Sequence, residues 1–196
     1  MSAGRRFSHA IAEGDGISVI AAVADAETAR AAEAQRAEAL VVDGDPASLR
    51  EATLLPVLWR GDAPIERAVE VADAVTLVLP DEDDDDHDPA RRRHEEALAL
   101  GLDCAVEVRS EDELERALEL LDPEIFLLAP PPAAAHERLD AVLELLAEVP
   151  AGKLAIADLV VTTEQEVQEL ERAGVDAVIV HAADVSPLAG EAPPAV

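Results

Sequence analysis

The chain has 196 residues, of which 49% are apolar, and carries a formal net charge of −28. This length fits one domain with a sizeable core, and the apolar content excludes a disordered chain. The charge excludes a nucleic-acid partner, which requires a basic face, and disfavours anionic membranes. No apolar run approaches the roughly 20 residues of a membrane span, and residues 1–16 lack the apolar segment of a signal peptide. We therefore expect a cytoplasmic protein.

The acidic excess also indicates an environment. The 43 Asp and Glu residues oppose 15 Lys and Arg residues, and Lys153 is the only lysine. Such a composition is typical of salt-accumulating cytoplasms, where screening removes the repulsion among carboxylates; a merely acidic mesophilic protein is the alternative. Cys104 is the only cysteine, which excludes an internal disulfide, and its apolar neighbours predict a buried side chain.

Eight short apolar runs alternate with helical segments along the chain. Runs rich in β-branched residues predict strands, and apolar residues at helical spacing predict helices between them. The predicted strands are Ile17–Ala24, Ala39–Asp43, Leu54–Trp59, Ala74–Leu79, Asp103–Arg109, the run that ends at Leu128, Leu154–Ala157 and Ala177–Val180. The predicted helices are Phe7–Ala12, Ala26–Ala37, a short one over Ala47–Ala52, Ile65–Val71, Ala90–Leu100, one with the buried stripe Leu114, Ala117, Leu118 and Leu121, His136–Glu148 and Thr163–Ala173.

The helix after the fifth strand has the clearest start. Ser110 occupies an N-cap position and Glu113 follows three residues later, which predicts a capping box. A single strand–helix unit cannot bury both faces of a sheet, so the unit is expected to repeat.

Eight such units predict an α/β fold, a single minimal (βα)8 TIM barrel with short loops and a short N-terminal helix. The predicted divisions are an N-terminal helical lead-in (1–16), the barrel (17–185) and a flexible C-terminal tail (186–196). The rival fold is an open doubly wound sheet. Residues 23–26, after the first strand, lack a glycine-rich phosphate fingerprint, which weakens a dinucleotide role, and no cofactor is expected.

Four fragments, in this order, resemble indole-3-glycerol phosphate synthase, a (βα)8 lyase of tryptophan biosynthesis. They are FSHAIAEGDGISVIAAV at strand one, LPVLWRGD at strand three, GLDCAVEVRSEDELERAL at the fifth unit and AGVDAVIVHAADV at strand eight. The resemblance implies a barrel with catalytic carboxylates and lysines at its strand ends and phosphate-binding residues after strands seven and eight.

Most functional residues of that family have no counterpart here. The strand-one carboxylate and lysine match Ala22 and Ala24, and the strand-three lysine matches Arg60, which stays protonated near neutral pH. The strand-five glutamate is retained as Glu107, and the strand-seven glutamate matches Asp158. The other matches are Leu128 for the strand-six asparagine and Leu159, Val160, His181 and Ala182 for the phosphate-binding serine and glycine. The resemblance therefore implies a catalytically degenerate barrel.

Charged residues remain at the carboxyl ends of the predicted strands, where barrel ligands bind. Side-chain alternation places Glu107 and Arg109 on one face of their strand. An isolated buried charge is costly, so we expect Glu107 to pair with Arg60, with Asp158 sharing the arginine. The candidate catalytic residues are Glu107, Asp158 and Arg60, and the candidate ligand-binding residues are Asp43, Arg109 and His181.

Three interpretations of this group stay open. It is a structural ion-pair cluster that closes the barrel, a reduced binding site for a small polar ligand, or a site for a divalent cation or acid–base chemistry. The third would use Asp43, Glu107, Asp158 and His181, but no fixed-spacing metal motif supports it and no metal is expected.

Other charged segments have simpler explanations. The run DEDDDDHD at 81–88 lacks the glycine and distal glutamate of an EF-hand, so we interpret it as a solvated loop. Arg91, Arg92 and Arg93 follow it directly, and local charge pairing explains them. The helical histidines lie among charged residues and are predicted to be on the surface; they are His9, His94 and His136.

Two classes of function are compatible with the sequence. One is a catalytically degenerate barrel that binds a small ligand or acts as a structural or accessory protein of a halophilic cytoplasm. The alternative is an active lyase or isomerase with a changed substrate that uses Glu107 and Asp158 as acid and base. The first predicts self-paired groups at the mouth, and the second an open cleft with perturbed carboxylates. A protein partner or a second copy could dock on the helical ring.

The composition predicts that stability rises with salt. At about 1 M salt the screening length falls to about 3 Å, which suppresses repulsion among surface carboxylates. We expect a higher thermal midpoint in about 3 M KCl than in about 0.1 M KCl, for the same reason. An equal or lower midpoint in concentrated salt would contradict the halophilic interpretation.

Overall fold

The computed structural model describes residues 6–13, 16–62, 64–80, 88–131, 135–161 and 163–181. Its eight parallel strands form a closed barrel in chain order, which confirms the TIM barrel and excludes the open sheet. The strands are β1 (Ser18–Ala22), β2 (Ala39–Val42), β3 (Val57–Trp59), β4 (Ala74–Val78), β5 (Asp103–Val108), β6 (Ile125–Leu128), β7 (Leu154–Asp158) and β8 (Ala177–Val180). The helices are α1 (Arg6–Ala12), α2 (Ala26–Ala34), α3 (Ile65–Val71), α4 (Asp88–Ala99), α5 (Glu111–Leu120), α6 (Ala135–Glu148) and α7 (Glu164–Ala173).

The largest differences from the predicted elements lie between β2 and β3. The short helix expected over Ala47–Ala52 is a single 3₁₀ turn at Pro46–Ser48, and Asp45 caps it by accepting from the Ala47 N–H. The strand expected from Leu54 starts only at Val57. The predicted tail and almost all of the acidic run at 81–88 lie outside the described residues. No helix in the described ranges combines the length and apolarity that a membrane crossing requires.

The register of the barrel advances by two residues at every even-numbered strand. In β2, Ala39 pairs with Ile20 of β1, whereas Val41 pairs with Leu58 of β3. The same step recurs at β4, β6 and β8. This stagger is the shear that closes a TIM barrel. Inward side chains of the odd strands therefore form layers that alternate with layers from the even strands.

Small and branched apolar side chains fill the central layers. The odd-strand layer consists of Ile20, Leu58, Ala105 and Ile156. The even-strand layer toward the amino end consists of Ala39, Ala74, Ile125 and Ala177. The even-strand layer toward the carboxyl end holds Val41, Leu127 and Ile179, with Thr76 at the β4 position. Thr76 is therefore a polar residue in an otherwise apolar layer.

Helix α1 closes the amino end of the barrel. Phe7 and Ile11 are buried and belong to the same apolar cluster as the inward strand residues. The Ser8 N–H donates to Asp103 Oδ2 at 2.9 Å, and Ser18 Oγ donates to the Ile11 carbonyl at 3.4 Å. These bonds satisfy polar groups at the amino end of the barrel, where the helix therefore acts as a plug.

Three carboxylates, each one residue before an even-numbered strand, form hydrogen bonds to the backbone at the amino end of the barrel. Each one accepts the backbone N–H of the preceding odd strand, near that strand's start. The pairs are Glu38 with the Val19 N–H at 2.9 Å, Asp73 with the Val57 N–H at 2.9 Å and Asp176 with the Ala155 N–H at 2.8 Å. Because of the register step, these N–H groups lie before the first residue of the next strand and find no backbone acceptor there. The carboxylates supply the acceptors instead.

The capping box predicted at α5 is only half formed. Ser110 Oγ accepts from the Glu113 N–H at 3.3 Å, as expected. The Glu113 carboxylate, however, accepts from the Arg109 N–H at 2.7 Å, one residue before the cap. Complete capping boxes occur instead at Asp25 and at Thr163.

The prediction that His94 lies on the surface is wrong. His94 is 8% exposed, because it shares the inner stripe of α4 with Ala90 and Ala97. Burial lowers the pKa of His94, since the cation would lose its hydration. Cys104 is buried as predicted, and burial raises the pKa of its thiol to about 12, so the thiol is unreactive near neutral pH.

The plug role of α1 predicts a large effect of Phe7→Ala. Phe7 is fully buried in the barrel cluster, so truncation leaves a cavity and should lower the free energy of unfolding by about 3–5 kcal/mol. Leu54→Ala is the control, because Leu54 is 81% exposed and should change stability by less than about 0.5 kcal/mol. Urea denaturation of both variants provides the measurement. Equal effects would show that α1 is not part of the core.

Candidate functional site

Register and alternation build one charged layer at the carboxyl end of the barrel, here called the mouth layer. Its positions lie on the odd strands, each two residues after the odd-strand layer described above. They are Ala22, Arg60, Glu107 and Asp158. Three of the candidate site residues predicted from the sequence therefore lie at the same height. Their side chains are largely buried, with 17%, 16% and 13% exposure for the arginine, the glutamate and the aspartate.

An ion pair spans the mouth from one wall to the other. Arg60 follows β3 and Asp158 ends β7, which lies on the opposite side of an eight-stranded barrel. Arg60 Nη2 donates a hydrogen bond to Asp158 Oδ2. Ala22, in the same layer, projects only a methyl group into this space. The contact closes the barrel over its apolar interior.

Asp158 also binds His181, which follows β8. His181 Nε2 lies 2.7 Å from Asp158 Oδ1, and a hydrogen bond to the carboxylate requires the hydrogen on Nε2. Burial alone would raise the pKa of Asp158, but the hydrogen bond from His181 and the charge of Arg60 outweigh it. The pKa of Asp158 is consequently lowered, and the side chain is a carboxylate at neutral pH.

Glu107 has a different partner from the one expected. Arg109 donates to Glu107 Oε1 from Nε at 3.0 Å and from Nη2 at 2.7 Å. The predicted Glu107–Arg60 pair is therefore wrong, although Asp158 does bind the arginine as expected. Arg60 reaches the opposite wall, while Arg109 lies two residues along the same face of the strand as Glu107. Because successive side chains of a strand point to opposite faces, residues 107 and 109 lie on the same face and can pair.

Asp43 does not join either pair. It is exposed, and among the described residues it forms no hydrogen bond or ion pair. The four side chains proposed for a divalent cation therefore do not come together. The described ranges contain no group of three His, Cys, Asp or Glu side chains that could hold a metal ion.

A pocket of about 260 Å³ opens beside the ion pair, between β3, β4, β5 and α4. We call it the mouth pocket; its lining is Arg60, Gly61, Asp62, Thr76, Leu77, Val78, Ala90, Arg93 and Glu107. Thr76 is 9% exposed and its Oγ1 has no hydrogen-bond partner. The Nε of Arg60 is likewise buried without a partner. Both are polar groups for which a bound molecule would supply the missing contact.

Gly61 forms the pocket wall against the only tryptophan of the chain. A methyl group on Gly61 would lie 2.5 Å from Trp59 Nε1, so no larger residue fits without moving the indole. On the other side, Arg93 Nη2 donates to the Gly61 carbonyl at 3.0 Å. Trp59 therefore packs directly behind the pocket wall rather than lining the pocket.

Sequence reasoning missed Thr76, Gly61 and Arg93. A signal for Thr76 existed, since it is the polar residue of the AVTLV strand at an inward position. Arg93 carried no such signal, because its contact with Gly61 depends on how α4 packs against the turn after β3. From the sequence alone, the charge of Arg93 is explained by pairing with the neighbouring acidic run.

The described part of the turn after β7, Leu159 to Val161, lacks the glycine that is typical of an anion site. Leu159 and Val161 are 3% and 4% exposed and pack into the core between barrel and helices, while Val160 is exposed. An anion site needs free backbone N–H groups and the close approach that glycine allows. Ala182, the other predicted position, lies outside the described residues.

Asp158→Asn should destabilise the protein in a pH-dependent way. Removing one partner of a buried pair leaves Arg60 uncompensated and should cost about 3 kcal/mol at neutral pH. Since the folded-state pKa is lowered, this contribution is complete above the unfolded-state pKa of about 4 and is lost as pH falls through the folded-state pKa. Denaturation from neutral pH to about pH 2 should show wild type and variant converging in acid. Asp43→Asn is the exposed control, and a pH-independent difference would argue against the ion pair.

The comparisons with known proteins bear on the fold. No family model matches the chain, and no curated protein matches it. Among solved structures, the N-acetylmannosamine-6-phosphate 2-epimerase from Clostridium perfringens is similar, with a TM-score of 0.72 and 14% identity over 87% of this chain and 88% of that one. At this identity the likeness shows a shared barrel fold and nothing about activity. The resemblance to indole-3-glycerol phosphate synthase stays a prediction.

Proposed function

We propose that this protein is a non-catalytic (βα)8 barrel that binds a small polar ligand in the mouth pocket. One observation carries the proposal: each ionisable group of the mouth layer is paired with another charged side chain, while the buried Thr76 hydroxyl beside them has no partner. The first feature opposes proton-transfer chemistry, and the second indicates a place for a ligand.

The charged groups are poorly placed for acid–base catalysis. A general base works best with a pKa near the working pH, whereas the pKa of Asp158 is lowered by its two partners. Arg60 cannot give up its proton near neutral pH, and its Nη2 is engaged by Asp158. Glu107 accepts two bonds from Arg109. The arrangement fits a structural closure of the mouth better than a working acid–base set.

The unpartnered Thr76 hydroxyl supports ligand binding. Leaving a buried hydroxyl without a hydrogen bond costs about 1–3 kcal/mol, and valine has the same shape without that cost. Proteins tolerate such a loss of stability mainly where function needs the group. Thr76 is among the residues that line the mouth pocket, and Val78 of the same lining is 53% exposed, so the pocket opens to solvent next to Thr76.

The alternative, an active lyase or isomerase, is favoured by a single contact. The bond between Asp158 and His181 orients the imidazole ring at the mouth, and histidine is the side chain that most often serves as a general acid or base. Growth of a tryptophan auxotroph that lacks the synthase tests whether the chain carries out the indole-3-glycerol phosphate synthase reaction itself. We expect no rescue by the wild-type chain; rescue that is lost in His181→Ala would favour the enzyme.

Thr76→Val should stabilise the ligand-free protein by about 1 kcal/mol, because it removes the unsatisfied hydroxyl without changing the side-chain shape. Thr53→Val is the matched control. Thr53 is also buried, but its Oγ1 accepts from the Leu55 N–H at 3.1 Å, so the same change should cost about 1 kcal/mol. Urea denaturation separates the two, and equal destabilisation would show that the Thr76 hydroxyl is satisfied.

Trp59 makes ligand binding measurable without a label. It is the only tryptophan in a chain without tyrosine, and it packs behind the pocket wall at Gly61. A panel of small sugars, polyols, amino acids, amides and their phosphates should contain compounds that shift Trp59 emission and raise the thermal midpoint of wild type but not of Thr76→Val. A panel without any such compound would refute the proposed function.

A further inference from the structure

We infer that the ligand of the mouth pocket is an uncharged polyhydroxy compound, a sugar or polyol without a phosphate or carboxylate group. This inference rests on the proposed function and specifies the chemical class that the pocket accepts. It follows from the hydrogen-bonding groups of the lining, from their charges and from the turn after β7.

The first step is the kind of hydrogen bond on offer. The Thr76 hydroxyl can donate and accept, the Arg60 Nε–H can only donate, and the Glu107 carboxylate can only accept. Both bonds from Arg109 fall on Glu107 Oε1, which leaves Oε2 as an acceptor. A ligand hydroxyl both donates and accepts, so neighbouring hydroxyls on one carbon chain match all three groups.

The second step is charge. The lining contains two arginines and two acidic residues, Asp62 and Glu107, so the pocket has no formal charge excess with which to hold an anion. Arg60 is already paired with Asp158 across the mouth. The chain as a whole carries −28, which repels a phosphate or carboxylate that approaches from solvent. A neutral ligand avoids this penalty.

The third step is the composition of the turn after β7. Its described residues, Leu159 to Val161, contain no glycine, whereas glycine allows the close backbone approach that favours a phosphate group. Val78 and Ala90 instead provide apolar surface at the pocket rim. Such a surface suits the C–H face of a sugar or polyol.

Matched pairs of compounds test the inference on the full-length protein. D-ribose, D-glucose and myo-inositol are titrated against their own monophosphates, with Trp59 emission and calorimetry as readouts. At least one free polyol should bind, and its phosphate should bind about tenfold more weakly or worse at low salt. The difference should narrow in about 1 M KCl, since screening weakens the repulsion.

Variants show whether binding occurs in the mouth pocket. Thr76→Val should weaken polyol binding about tenfold, whereas Thr53→Val, which lies outside the pocket, should leave it unchanged. A phosphate that binds as tightly as its parent polyol or more tightly would overturn the inference but leave the proposed function standing. Failure of all three polyols to bind would also overturn it. The proposed function falls only when the broader panel gives no ligand that depends on Thr76.

Discussion

Closure of the eight-stranded sheet on itself is the constraint on which the rest of this structure depends. The two-residue step at each even strand sorts inward side chains into layers, and a closed sheet leaves no freedom to shift one strand alone. Carboxylates such as Asp73 and Asp176 secure these steps at the amino end. The same steps place Arg60, Glu107 and Asp158 at one height at the other end.

Within that frame, the Arg60–Asp158 pair determines the character of the mouth. A charge held between opposite walls needs a full set of partners, and His181 completes the set around Asp158. Groups paired in this way close the mouth over the apolar interior. Glu107 pairs with Arg109 instead of Arg60, and it also lines the mouth pocket. Both hydrogen bonds from Arg109 go to Oε1 of Glu107, so Oε2 receives none of them.

The two ends of the barrel treat buried polar groups differently. At the amino end, Ser8 donates two hydrogen bonds to the Asp103 carboxylate beneath the apolar layers. At the carboxyl end, the hydroxyl of Thr76 lies in an apolar layer without a partner. Arg60 Nε, which belongs to the lining of the same pocket, is also buried without a partner. This contrast links the packing of the barrel to its proposed role.

The sequence by itself determined the closed set of strands and helices, the burial of Cys104 and the height of Glu107, because these depend on local apolar periodicity and alternation. Only the tertiary structure decided that Arg60 binds Asp158, 98 residues away, without Glu107, which pairs with Arg109 instead. It also decided that His94 is buried and that Thr76 lies in a pocket. The physical reason is that these contacts depend on the register between strands and on the packing of α4, and neither is encoded in the residues next to the side chains concerned.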